Sequence, residues 1–289
     1  MTSDRLKLAI GVGAAFAIFG VLAWYSGFRP DDWRAIDPGF AALAVLASLV
    51  TVMARGLAYA LYAKAGNKGV WLDIGARHQA LFSLVPSGLG DLGFPVLANR
   101  HAGVTLGQGA GIIALARLRD VLVLGALFLA AMPFSDVGPI ATLAPAIALL
   151  GAALCLEPLI STIARHLPRI GDTLAHASAP LSDRTKRTAL ATLSWLAASL
   201  AVWSAFRAAG TTLDPSDAVL LIGGLNAAGI LAFTVGGLGI AEIGAAAILI
   251  WLGTPPEDAA RTALTARPLL LCSVVLACLL IVLYRKAMR

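Results

Sequence analysis

Long apolar stretches constrain this chain more than any other feature. About 20 predominantly apolar residues cross the hydrocarbon core of a bilayer, and six runs of roughly that length occur here. They cover residues 6–25, 39–63, 108–132, 138–156, 188–209 and 262–284. Charged residues form 13% of the 289 residues, against about 25% in a soluble domain. The sequence therefore predicts an all-α polytopic membrane protein with about six full spans.

The distribution of basic residues predicts the orientation of these spans. With a cytoplasmic N-terminus, 14 of the Lys and Arg residues fall in cytoplasmic loops and 4 fall in outer loops. Such an excess on one side sets topology in membrane proteins. We therefore expect both termini in the cytoplasm, in the inner membrane of a bacterium. The net charge of +6 then reflects topology and contact with anionic lipid headgroups at the cytoplasmic face, and it does not indicate nucleic-acid binding.

Two glycine-rich segments interrupt the apolar pattern. The first reads "LVPSGLGDLG" over residues 84–93, and the second reads "FTVGGLGIAEIG" over residues 233–244. Basic loops flank the first segment and acidic loops flank the second, so each must enter and leave the membrane on one face, and the two faces are opposite. We predict two broken or re-entrant helical hairpins. Their motif residues are Pro86, Gly88, Gly90, Gly236, Gly237 and Gly239.

The two glycine segments also suggest an internal repeat. "GLG" recurs at an offset of 149 residues, between Gly88 and Gly237, and with one gap Arg117 aligns with Arg267. Each half then contains two spans, a broken hairpin and a further span. We predict a single membrane domain over residues 1–289, with repeats 1–135 and 138–289 inverted relative to each other. The second repeat includes a basic cytoplasmic linker, residues 157–187.

The broken hairpins also predict a cavity. Irregular backbone at membrane depth is tolerated only where protein buries it or where it lines a water-filled cavity. In inverted-repeat transporters the substrate site lies at the repeat interface, near the midplane. Helix N-termini after Gly90 and Gly239 would direct partial positive charge at an anionic group such as a lipid phosphate. The alternative is that the glycines simply allow close helix packing.

Ionisable residues inside the spans are the candidate site. Each costs roughly 2.5 to 3.5 kcal/mol at the centre of a helix and is functional by default. Asp91 follows its "GLG" directly, whereas Glu242 comes three residues after its own, so the two acids need not be equivalent. The alternative is an ion-pair network that joins the two halves, or snorkelling near the interface, and we favour it for Arg119. The predicted substrate-binding residues are Arg55, Asp91, Arg117, Asp120, Glu242 and Arg267.

Signatures of enzymes are missing from the sequence. It has no nucleophile elbow and no P-loop. The four histidines are expected in loops, without the spacing of metal ligands, and the three cysteines are expected to be packing residues. We therefore predict a protein that is not an enzyme and that uses no cofactor or metal.

These motifs resemble the membrane domain of the lysylphosphatidylglycerol synthase/flippase family. "SLVPSGLGD", "GVT" and "RLRD" match the first motif region of the family, with Asp91 where the family usually has Glu. "AFTVGGLGIAE", then "GTPPEDA" and Arg267, match the second region, and "GGLG" with Glu242 is the most specific part. The larger relatives carry a soluble synthase domain, which we do not expect in this chain. The resemblance implies movement of a lipid rather than its synthesis.

Three functions follow as hypotheses. The leading one is a lipid translocase that moves a phospholipid, a modified phospholipid or a polyprenyl-linked lipid across the inner membrane. The second is a non-transporting accessory that anchors a lipid-modifying enzyme or glycosyltransferase, with Arg184, Lys186 and Arg187 of the linker as its docking surface. The third is an ion-coupled transporter of a small anion.

Overall fold

The computed structural model describes residues 16–85, 90–132, 139–164, 181–231 and 239–288. Every regular element in these residues is helical, which confirms the predicted all-α class. A short 3-10 helix, Pro30–Trp33, follows the first helix. The α-helices are α1 Phe16–Ser26, α2 Pro38–Tyr62, α3 Lys68–Leu84, α4 Gly90–Ala102, α5 Leu106–Ala131, α6 Pro139–Leu154, α7 Leu156–Ala164, α8 Leu181–Ala208, α9 Pro215–Leu231, α10 Ile240–Trp251 and α11 Pro256–Ala287.

Side chains in the sequence mark where several of these helices begin. Asp37 precedes the first residue of α2, Pro38, and its carboxylate accepts the backbone N–H groups of Gly39 and Phe40. Thr105 and Gln108 form a capping box at the start of α5, because each side chain accepts the other's backbone N–H. Such contacts satisfy N–H groups that have no partner within the helix.

Both glycine motifs interrupt the helical backbone, as predicted. Helix α3 ends at Leu84 and α4 begins at Gly90. Helix α9 ends at Leu231, and α10 begins directly after Gly239. The φ angle of Gly239 is +87°, a backbone conformation that residues other than glycine rarely adopt. The helix starts expected at these two glycines are therefore confirmed. Four other motif residues lie outside the described residues, namely Pro86, Gly88, Gly236 and Gly237.

Fewer helices than expected are both long and apolar. Within the described residues, α2, α8 and α11 meet the length and hydropathy of a membrane span. Helices α6 and α7 form a fourth candidate only as a pair, bent by 58°. Pro158 explains the bend, since a proline has no N–H to donate and its ring clashes with the carbonyl four residues earlier, here that of Leu154. The predicted span over 138–156 therefore contains a bend near its end.

The described residues divide into two compact units that interleave along the sequence. One takes its residues from 1–49, 79–90 and 198–277, and the other from 50–78, 91–197 and 278–289. We call them the first unit and the second unit. The division into consecutive repeats, 1–135 and 138–289, stays a prediction.

Glycines allow close contact between α2 and α3 in the second unit. A Cβ added to Gly75 would lie 2.8 Å from the Cα of Gly56, and one added to Gly56 would lie 2.9 Å from the Cα of Leu72. These neighbours are backbone atoms, which cannot move aside as a side chain can. The two helices therefore cross where neither has a side chain.

Replacing Gly75 by alanine tests this crossing. We expect Gly75→Ala to lower the free energy of unfolding by about 1–2 kcal/mol, because overpacking outweighs the higher helix propensity of alanine. Equilibrium unfolding in mixed detergent micelles would measure the change. Gly66→Ala is the control, since a Cβ at Gly66 meets nothing within 4 Å. Equal stabilities for the two variants would contradict the proposed crossing.

Candidate functional site

Arg117 of α5 joins two of the predicted acids in the second unit. Its Nε and Nη2 donate to the two carboxylate oxygens of Asp91, at 2.8 and 2.7 Å. Its Nη1 donates to Oδ2 of Asp120 at 3.2 Å, one helical turn further along α5. A bidentate arginine–carboxylate pair is among the stronger protein hydrogen-bond arrangements. Asp91, at the start of α4, is therefore tied to α5.

His78 extends this network into the interior. Its Nε2 lies 2.9 Å from Oδ1 of Asp91, and its Nδ1 lies 3.2 Å from the hydroxyl of Tyr59. In the neutral imidazole Nε2 carries the hydrogen, because a carboxylate only accepts, so Nδ1 accepts from the tyrosine. His78 is fully buried in α3. The expectation that the histidines lie in loops is wrong for this residue and for His101, which lies in the last turn of α4.

Asp120 connects Arg117 to the region around Arg55. The indole N–H of Trp195 donates to Oδ1 of Asp120 at 3.1 Å. The Arg55 guanidinium lies 5.0 Å from the centre of the Trp195 ring, a cation–π distance, and its Nε donates to Ser194 at 3.1 Å. Four of the six predicted residues, Arg55, Asp91, Arg117 and Asp120, are thus part of one connected group.

Arg119, Glu157 and Arg187 form a second, fully buried ion-pair group in the same unit. Nη2 of Arg119 lies 2.5 Å from each Glu157 oxygen, and Nη1 of Arg187 lies 3.1 Å from Oε1. Arg119 also donates to the hydroxyl of Tyr62, and the Arg187 guanidinium lies 4.5 Å from the centre of that ring. This is the ion-pair role that the sequence favours for Arg119.

The buried position of Arg187 changes the interpretation of the linker. The Arg187 side chain is 0% exposed and donates to the backbone carbonyl of Leu61. Arg187 therefore cannot belong to a docking surface, so the expectation is wrong for this residue, and for Arg184 and Lys186 it stays a prediction. The sequence signal was available, since Glu157 and Arg187 both border apolar runs, but residue spacing alone does not show that they meet.

A small cavity lies between these two groups. Its volume is about 20 Å³, which is room for one water molecule. Its polar lining includes Arg55, Tyr59, Tyr62, Arg119, Asp120 and Arg187.

Together these charged residues form what we call the arginine cluster. It contains four arginines and three carboxylates, namely Arg55, Arg117, Arg119, Arg187, Asp91, Asp120 and Glu157. With His78 neutral, the cluster has one positive charge in excess. Arginine side chains that line a cavity can donate charge-assisted hydrogen bonds to an anion.

Glu242 and Arg267 belong to the first unit. Glu242 lies in the first turn of α10, is fully buried, and accepts the Gly239 N–H on Oε2 at 2.5 Å. The positive charge of Arg267, on α11, attracts the Glu242 carboxylate. The three-residue spacing of this contact is that of a capping box, a signal the sequence contains. The helix N-terminus that we expected to receive a lipid phosphate is therefore capped by the protein's own glutamate.

The sequence matches the model of a known protein family. The family model described as "Lysylphosphatidylglycerol synthase TM region" matches residues 8–285. The chain belongs to the lysylphosphatidylglycerol synthase transmembrane-region family. The suspected resemblance is thus confirmed, and with its apolar helices the chain is an integral membrane protein of a lipid-related family. No curated protein matches the sequence.

Removing the acid of the buried ion-pair group tests its structural weight. We expect Glu157→Gln to destabilise the protein by about 3–5 kcal/mol, because two buried arginines would lose their carboxylate. Chemical unfolding in micelles, followed by tryptophan fluorescence, would measure the loss. Glu257→Gln, the same change at an exposed position in α11, is the control and should cost less than about 1 kcal/mol. Wild-type stability for Glu157→Gln would show that the pair is dispensable.

Proposed function

We propose that this protein is a lipid translocase of the bacterial inner membrane. It would move a phospholipid, a modified phospholipid or a polyprenyl-linked lipid between leaflets, as the family membership and the arginine cluster together suggest. Both termini would lie in the cytoplasm and the two halves would form inverted repeats, consistent with the distribution of basic residues. The protein would act without a catalytic residue, a cofactor or a metal.

The excess positive charge of the arginine cluster is the observation that carries this proposal. A phosphodiester carries one negative charge, which would balance the cluster. Arg55 is suited to contact it, because this arginine lines the cavity, beside Ser194 and Trp195. Arg119 and Arg187 line the same cavity but also hold Glu157. Arg55 would therefore be the principal phosphate contact.

The size of the cavity adds a requirement for movement. The cavity is small, about 20 Å³, so entry of a whole lipid headgroup would require the surrounding helices to separate. The acyl chains would stay in the surrounding lipid, and only the headgroup would enter. Anionic lipid headgroups at the cytoplasmic face would contact the exposed basic residues of the loops.

The same small cavity also favours a second candidate, an ion-coupled transporter of a small anion. A single-atom anion or a water molecule would fit without large movement, whereas a lipid headgroup would not. An accessory role that docks a lipid-modifying enzyme receives less support, because Arg187 is buried. Uptake of radioactive phosphate or chloride into proteoliposomes would test the small-anion function directly.

Movement of lipid in proteoliposomes tests the leading proposal. Liposomes with fluorescent phosphatidylglycerol and a membrane-impermeant quencher report how fast lipid crosses between leaflets. We expect wild-type protein to accelerate this exchange and Arg55→Gln to slow it by about tenfold or more, as expected for losing a charge-assisted hydrogen bond. Arg55→Lys, which keeps the charge, should restore part of the rate.

The control is Arg100→Gln, at an exposed position near the end of α4. It removes one positive charge without altering the cavity, so its rate should equal that of wild type. Lipid exchange no faster than in protein-free liposomes would refute translocation of this lipid. An unchanged rate in well-folded Arg55→Gln would refute the role of the cavity.

A further inference from the structure

Glu242 differs from the other acids of the candidate site described above. Asp91, Asp120 and Glu157 each contact an arginine directly. Glu242, in the otherwise apolar helix α10, forms no ion pair with any described residue. Its side chain is nevertheless fully buried. A direct contact with a cation therefore does not compensate its burial.

The hydrogen bonds of Glu242 are also incomplete. Oε2 accepts the N–H of Gly239, but Oε1 is buried and has no hydrogen-bond partner among the described residues. An ionised carboxylate has about four acceptor sites, and burying it without partners costs several kcal/mol. A neutral carboxylic acid avoids most of this cost and retains one oxygen to accept the Gly239 N–H.

Two features of the surroundings favour the ionised form. The N-terminus of α10 stabilises a negative charge in its first turn. Arg267 attracts it from α11. Among the described residues, Ile18 of α1, which lies against Gly239, is apolar, and Asp217 lies in the first turn of α9, at the far end from the helix break. The helix terminus alone does not offset the cost of burying the Glu242 carboxylate. Glu242 and Arg267 do not form an ion pair.

We propose that Glu242 is a proton-binding site, neutral in this conformation and ionised in another. In the neutral acid, Oε1 carries the proton and Oε2 accepts from Gly239. Release transfers that proton to water and leaves a carboxylate whose cation is Arg267. If lipid movement requires both states, and the proton is taken up from one side of the membrane and released to the other, each cycle transfers a proton across it. That coupling rests on the proposed translocation, whereas proton binding by Glu242 does not.

Infrared spectroscopy tests the proton directly. A protonated carboxylic acid has a carbonyl band separate from the bands of carboxylates and amides. We expect wild-type protein at neutral pH, in a detergent without ester groups, to show this band, and Glu242→Gln to lose it. Glu257→Gln, at an exposed glutamate, is the matched control and should keep the band.

If Glu242→Gln folds poorly, the wild-type spectrum by itself still tests the proposal. A buried protonated acid must be visible at neutral pH and must exchange slowly with deuterated solvent. A wild-type spectrum without such a band would overturn the proposal. A band that persists unchanged in folded Glu242→Gln would overturn the assignment to this residue.

A pH gradient tests the coupling. Proteoliposomes would contain fluorescent phosphatidylglycerol and a trapped pH-sensitive dye, so that lipid exchange and proton movement are read together. We expect a gradient across the membrane to change the wild-type rate of lipid exchange and to be dissipated as lipid moves. In Glu242→Gln the rate should no longer respond to the gradient, and in Glu257→Gln it should respond as in wild type.

The outcomes separate the two proposals. Lipid movement that ignores the gradient in wild type would overturn the coupling and leave the translocase proposal intact. A wild-type protein that moves no lipid would overturn translocation and coupling together, and the infrared band would still decide whether Glu242 binds a proton.

Discussion

Neutralising charge among apolar helices is the constraint on which the second unit depends. Arg117 draws Asp91 of α4 to α5, and Glu157 of α7 holds arginines from α5 and α8. An unpaired ion in such surroundings costs several kcal/mol, so these pairs determine which helix faces can meet. The charged side chains of the arginine cluster sum to one positive charge, and several of them line a small cavity. The structural framework and the candidate anion site therefore arise from one set of side chains.

The two glycine motifs serve different purposes despite their similar letters. Asp91 follows its motif immediately and faces an arginine on another helix. Glu242 lies three residues after Gly239, the spacing at which a side chain can reach back to the N–H of the cap. A shift of two positions thus changes an acid from a tertiary partner into a local cap. The capping contact uses one oxygen, and the other oxygen is the basis for the proposed proton site.

Much of the architecture was predictable because it depends on local chemistry. The apolar runs predict a helical membrane protein, and the glycines predict where helices break, since only backbone properties are involved. The number of membrane spans was harder to predict. Pro158 bends the α6–α7 pair through a clash four residues away, and hydropathy does not register such a clash.

The sequence by itself determined the class of protein, the breaks at Gly90 and Gly239, and six candidate site residues. Tertiary structure decided the partners of four of them and added Glu157, Arg187, His78 and Trp195. The physical reason is distance along the chain. Helix caps and breaks involve residues within one turn, whereas Trp195 meets Asp120 across 75 positions. Only the packing of helices brings such residues into contact.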